Sequence, residues 1–189
     1  MGPADATLRI VLVGFMAAGK TTVGRRLAAR LGWGFVDFDE VIEARTGLTV
    51  PGIFRTQGEA AFRALEAQLT DEFGCAPGVV LAPGGGWITQ PRLLDALGPG
   101  SLVVWLRVSA QEAVRRALAD DVHRPLLAGP DPLGKARLLL DEREPLYYLA
   151  DAVVDVDGHE VDDVVGQITG RIRVLPDLNA AGPWPERTE

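Results

Sequence analysis

The chain has 189 residues, 19 basic against 26 acidic, and a formal net charge of −7. That length suits one domain with a well-buried core, and the acidic balance argues against nucleic acid as a partner, because a phosphate backbone calls for a basic face. The single cysteine, Cys75, has no disulfide mate in the sequence and no metal-ligand neighbours at useful spacing, and reads as a small apolar residue near a helix end. Residues 1–6 lack the basic and apolar regions of a signal peptide, and the first apolar run is too short to span a bilayer, so no membrane and a cytoplasmic location are expected.

In chain order, the apolar run at residues 8–13 predicts a first strand, and residues 22–31, with Val23, Leu27 and Leu31 on one face, predict a helix. Between them stands Gly14-Phe15-Met16-Ala17-Ala18-Gly19-Lys20-Thr21. A glycine-rich turn from strand to helix lets several backbone N–H groups converge on a polyphosphate. Lys20 can then reach the phosphates, and Thr21 can offer its hydroxyl to Mg²⁺. This P-loop predicts nucleoside triphosphate binding, with ATP as the co-substrate.

Residues 35–37, 79–82, 102–106 and 152–155 are four further strand candidates, and residues 60–73 and 111–119 are helices. Their continuous apolarity predicts burial on both faces, as in a parallel sheet covered by helices. The expected fold is α/β, a three-layer doubly wound five-stranded parallel sheet with ligands beyond the carboxyl ends of the strands. A single domain over residues 7–174 is expected. Residues 46–73 would form a substrate-binding insertion, residues 120–131 a mobile lid and residues 175–189 a flexible tail.

Asp37 and Asp39 are expected to close the second strand with both carboxylates facing the crevice, one for magnesium and one for the acceptor; a helix cap near Glu40 is the plainer role for either alone. Arg63 has Glu66 at i+3, a spacing that also suits a solvated ion pair. Pro83-Gly84-Gly85-Gly86 exposes main-chain N–H groups after the third strand, although a simple tight turn has the same composition. Arg124, in the lid, and Arg143 lie among acidic neighbours and read either as solvated residues or as groups for a transferring phosphoryl. His123 and His159 match no ligand set, and Trp33, Trp87, Trp105 and Trp184 are too scattered to form a stacking platform.

Five of these motifs, in order, resemble the shikimate kinase family over residues 8–173. They are the P-loop, Val36-Asp37-Phe38-Asp39, the stretch from Ile53-Phe54 through Gly58-Glu59 to Phe62-Arg63, Gly84-Gly85-Gly86, and Arg124-Pro125-Leu126-Leu127 with Arg143-Glu144-Pro145-Leu146-Tyr147. The resemblance implies ATP-dependent phosphorylation of the 3-hydroxyl of shikimate, in chorismate and aromatic amino-acid biosynthesis, by a monomer. It implies Lys20, Asp39 and Arg124 as catalytic residues. Gly14, Ala17, Ala18, Gly19, Lys20, Thr21, Thr22, Arg116 and Arg124 would hold ATP, and Thr21 and Asp37 would serve Mg²⁺. Asp39, Arg63, Gly85, Gly86 and Arg143 would hold shikimate, with Phe54, Phe62 and Glu66 in the pocket wall.

Ala17, Pro83 and Trp87 depart from the family pattern; Trp87 reads by itself as a packing residue, and as a departure from the pattern it could reshape the pocket or its rim. A kinase for another carboxylate-bearing polyol, or a nucleotide-binding regulator without catalysis, would share much of this sequence. The paired arginines favour a carboxylate acceptor, and both aspartates exceed what a pure binder needs.

Overall fold

The computed structural model describes residues 8–119 and 129–172. His123 and Arg124, most of the expected lid, and the segment 175–189 with Trp184 lie outside the described residues.

Each strand expected from the sequence forms: β1 Arg9–Val13, β2 Gly34–Asp37, β3 Val79–Ala82, β4 Ser101–Arg107 and β5 Ala152–Asp155. They pair in parallel in the order β2-β3-β1-β4-β5. Alternate residues of one strand serve different layers, because strand side chains point to opposite faces. Ile10 and Leu12 enter one buried cluster with Val80, Val104 and Leu106, whereas Val11 and Val13 join Val79, Leu81 and Trp105 in the other. Burial on both faces removes any need for polar alternation.

The helices are α1 Lys20–Leu31, α2 Phe38–Thr46, α3 Val50–Phe73, α4 Arg92–Asp95, α5 Ala110–Ala119, α6 Pro132–Tyr147 and α7 Val161–Thr169. The sequence reading did not identify α6 and α7 as helices. Pro132 opens α6 at a position that tolerates it, and the Asp131 side chain caps the helix by accepting from Gly134 N. Helix α7 packs on α1 and closes one face of the sheet.

Helix α3 starts earlier than the predicted 60–73 and is broken at Gly58, whose φ of 83° and ψ of 170° are non-helical. Its buried face carries Glu66 and Thr70 beside Phe62, Leu69 and Phe73. Trp87 is the packing residue expected and not a rim residue: it is buried in the core, and its indole N–H donates to Thr70 Oγ1 at 2.9 Å. Cys75 lies just past the end of α3, near a helix end as expected, and is exposed.

Arg9 occupies a strand position yet is only 2% exposed. Its guanidinium donates to the carbonyls of Ala76, Gly98, Pro99 and Cys75 and to Ser101 Oγ. Four of those acceptors belong to loops at the amino-terminal edge of the sheet and the fifth, Ser101, opens β4, so one planar fork of donors ties them together.

Candidate active site

A cleft of about 660 Å³ lies at the carboxyl ends of the strands, lined by residues of the P-loop and by Asp37, Asp39, Pro83, Gly85, Arg116 and His159, among others. Its position follows from the parallel sheet, which collects its loops at that edge.

The P-loop is shaped by two glycines in conformations closed to other residues. At Gly14, φ is 152° and a Cβ would stand 2.6 Å from the Leu106 carbonyl oxygen; Gly19 has φ 88° and begins α1. No side chain caps α1 and no acidic residue stands in its first turn. The orphan N–H groups and the positive end of the helix are thus open to an anion. Ala17 departs from glycine at a cost: its φ of 59° is left-handed, which for an L-residue costs about 1 kcal/mol.

Lys20 Nζ donates to the carbonyls of Gly14 at 3.0 Å and Phe15 at 3.2 Å, folding its ammonium back over the loop. Thr21 Oγ1 donates to Asp37 Oδ2 at 2.6 Å, and Asp37 Oδ1 accepts from the Asp39 and Glu40 N–H groups. Asp37 therefore both caps α2 and faces the P-loop. Asp39 does not extend the strand as expected; it sits in the first turn of α2. The strand ends because Asp37 captures the following amides.

Asp39 still turns toward the cleft, with Oδ1 buried and, among the described residues, without a hydrogen-bond partner. Its carboxyl is raised to about 6, first by burial and then by Asp37, against the pull of Lys20.

The third strand ends in the glycine turn, which meets α3 and α6. A Cβ at Gly84 would stand 2.7 Å from Glu66 Oε1 and 3.2 Å from Asp39 Oδ1, and one at Gly85 would stand 3.2 Å from the Met16 nitrogen. This close approach accounts for glycine here better than a tight turn does. Gly85 O accepts from Arg143 Nη1 at 3.3 Å and from the Tyr147 hydroxyl at 3.0 Å. Arg143 is only 9% exposed, so its acidic sequence neighbours do not make it a solvated residue. Tyr147 was not among the site candidates, although its i+4 spacing from Arg143 places both on one helix face.

Arg63 and Glu66 do form the expected i, i+3 pair at 2.6 Å, but Glu66 is fully buried, which excludes a solvated pair. Burial raises the Glu66 carboxyl to about 7 against the opposing pull of Arg63. The Gly84 amide also pulls on it, without reaching hydrogen-bond geometry at Oε1. Phe54 and Phe62 pack with ring centroids 5.0 Å apart, and the Arg63 guanidinium lies over the Phe62 ring.

At the other end of the cleft, Arg116 donates to Glu112 Oε1 at 2.7 Å, Val156 O at 3.0 Å and Ala17 O at 3.4 Å. It thereby ties α5 to the P-loop and to the end of β5. Two hydrogen-bonded arginines, Arg115 before Arg116, lower the Glu112 carboxyl to about 2. Thr22 and Ala18 complete the P-loop wall, and His159 borders the cleft with Nδ1 3.0 Å from Asp157 O.

The hydroxyl and carboxylate of Thr21 and Asp37 suit a magnesium ion that keeps waters and phosphate oxygens as its remaining ligands. Among the described residues, no cluster of three or more His, Cys, Asp or Glu offers a protein-only metal cage. Nor, among them, is any helix long and apolar enough to cross a membrane.

The parallel sheet order, the P-loop between β1 and α1, and two aspartates and two arginines around a glycine turn define a P-loop kinase. The family model for shikimate kinase matches residues 16–173. A shikimate kinase of Halorhodospira halophila is 46% identical over 169 residues, covering 89% of this chain and 95% of its own; that of Moorella thermoacetica is 45% identical over 159 residues, 84% of this chain and 91% of its own. The solved shikimate kinase of Acinetobacter baumannii in complex with shikimate superposes with a TM-score of 0.81 at 38% identity, covering 88% of this chain and 95% of that one. The chain belongs to the shikimate kinase family.

Proposed function

We propose that the protein transfers the γ-phosphoryl group of ATP to the 3-hydroxyl of shikimate, giving shikimate 3-phosphate and ADP in the chorismate route to aromatic amino acids. The observation that carries this reading is the placement of the buried Arg143 and the largely buried Arg63 around one glycine turn, beside Asp39 and the P-loop cleft. Two guanidiniums suit a carboxylate acceptor, since each charge-assisted hydrogen bond is worth about 1.5–3 kcal/mol.

The P-loop amides from Gly14 to Thr22, including those of Ala17, Ala18 and Gly19, hold the phosphates, and Arg116 borders the base. Arg63, Arg143 and the Gly85 and Gly86 backbone hold the acceptor so that its hydroxyl faces the γ-phosphorus. That oxygen forms the new P–O bond as the bond to the β–γ bridging oxygen breaks, and the hydroxyl proton passes to Asp39. Lys20 leaves the Gly14 and Phe15 carbonyls to meet the developing negative charge. Magnesium at Thr21 and Asp37 would supply further charge neutralisation on the phosphate oxygens. Arg124, outside the described residues, has the phosphate-closing role that the family pattern gives it.

Residues 46–73 serve as the acceptor-binding insertion, within a single domain over residues 7–174. Cytoplasmic residence and a monomeric state accompany this reading.

The test is ADP release by the purified protein with Mg-ATP, with and without shikimate, and product mass and NMR to locate the phosphate. Shikimate-stimulated release with phosphate on the 3-hydroxyl is expected. ATP binding without stimulation would overturn the assignment and favour another acceptor or a non-catalytic role.

A further inference from the structure

Arg63 is already engaged by two carboxylates of very different standing. Glu66 is fully buried and takes Nη1 at 2.6 Å. Glu59, with its side chain 63% exposed, takes the other edge: its Oε1 accepts from both Nε at 3.1 Å and Nη2 at 2.8 Å. The Nε and Nη2 edge is the fork with which arginine receives a carboxylate in two parallel hydrogen bonds. The same Nη2 faces the glycine turn, since a Cβ on Gly86 would stand 2.2 Å from it.

We propose that Glu59 is an internal competitor for the acceptor's carboxylate: it occupies the receiving edge of Arg63 and is displaced when the acceptor binds. The inference rests on the proposed function, because it needs an acceptor that bears a carboxylate. Glu59 Oε1 already takes both Nε and Nη2, so an acceptor carboxylate can be received on that edge only when Glu59 leaves it. Glu66 is enclosed and has no access to water, whereas Glu59 can swing into solvent at little cost. Glu59 is also the first residue after the non-helical Gly58, where an added Cβ would meet nothing within 4 Å. There is open space beside the point at which its side chain starts.

Glu59 and Arg63 also form a favourably ordered i, i+4 pair. Breaking such a pair is a small cost charged against every binding event, so its removal should tighten acceptor binding about two- to five-fold. Competition lets a site with a high positive potential discriminate against weak anions, because only a ligand with further contacts displaces the resident carboxylate.

The test compares wild type, Glu59→Gln and Glu59→Ala by calorimetric titration with shikimate, its methyl ester and ATP. Both variants should bind shikimate about two- to five-fold more tightly, with affinity for the methyl ester and ATP unchanged. Equal or weaker shikimate binding in both variants would overturn the proposal, as would an equal gain for the ester. A loss in Glu59→Ala that Glu59→Gln restores would also overturn it, by making Glu59 a positioning residue for Arg63. Failure of the wild type to bind shikimate would overturn the functional assignment instead, and the competition with it.

Discussion

Gly86 and Arg63 fit together with no room for a methyl group: a Cβ on residue 86 would lie 2.2 Å from Nη2 and 2.7 Å from Cζ of the guanidinium. The Gly86 backbone, with φ −100° and ψ 0°, is open to any residue, so the requirement for glycine comes from the neighbour alone. Gly86→Ala should fold normally and push Arg63 off its present line. Shikimate affinity is expected to fall about ten-fold or more, the loss of one charge-assisted contact, while ATP affinity holds. Calorimetry with each ligand checks this, and undiminished shikimate binding would remove Arg63 from the acceptor site.

Asp39 has a buried oxygen with no hydrogen-bond partner among the described residues, in the wall of the cleft. An amide in its place keeps shape and loses basicity, so Asp39→Asn should retain ATP binding and lose about 10²–10⁴-fold in turnover. Steady-state kinetics beside nucleotide titration measures both, and a variant with native turnover would show that the hydroxyl proton leaves by another route.

Glu66 introduces a pH dependence into stability. Its carboxyl is raised from the ordinary 4.5 to about 7 by burial, so between those values the folded state binds more protons than the unfolded state. Stability then falls as pH rises through that window and levels off above it. Asp39, raised to about 6, adds a slope of the same sign. Glu66→Gln should flatten the urea-denaturation profile between about pH 4.5 and 7, leaving the part due to Asp39. An unchanged slope would show that Arg63 fully compensates the buried charge.

Arg9 ties together four carbonyls and one hydroxyl, and of these Gly98 O also accepts from Ser101 Oγ. Arg9→Ala should cost about 3 kcal/mol, because several hydrogen bonds from one charged, buried donor are lost together. Arg9→Lys should recover less than half, since an ammonium lacks the planar fork. Chemical denaturation of both variants tests this; a loss below 1 kcal/mol in Arg9→Ala would mean that water reaches those carbonyls.

Contiguous features were legible in the chain. The P-loop and all five strands appear where short-range patterning placed them, because glycine conformation and the run of apolar residues are local properties. Asp39 was misplaced by extending the strand too far, since the amides that stop the strand are captured by a side chain that periodicity cannot weigh. Helices α6 and α7 were missed as helices, and Glu66, Thr70, Trp87 and Arg9 acquired their burial only through partners distant in the chain.

The amino-acid order therefore settled the phosphate-binding turn, the sheet class and the identity of the charged groups, all of which follow from backbone sterics and local patterning. Which charges are buried, which face each other and which are spoken for was decided by packing. Gly85 meets Arg143 and Tyr147 across 58 and 62 residues of chain, and Arg9 reaches loops 66 to 90 residues away. Contacts at such separations depend on the assembled layers, because desolvation and hydrogen-bond geometry are set by whichever atoms the fold brings alongside.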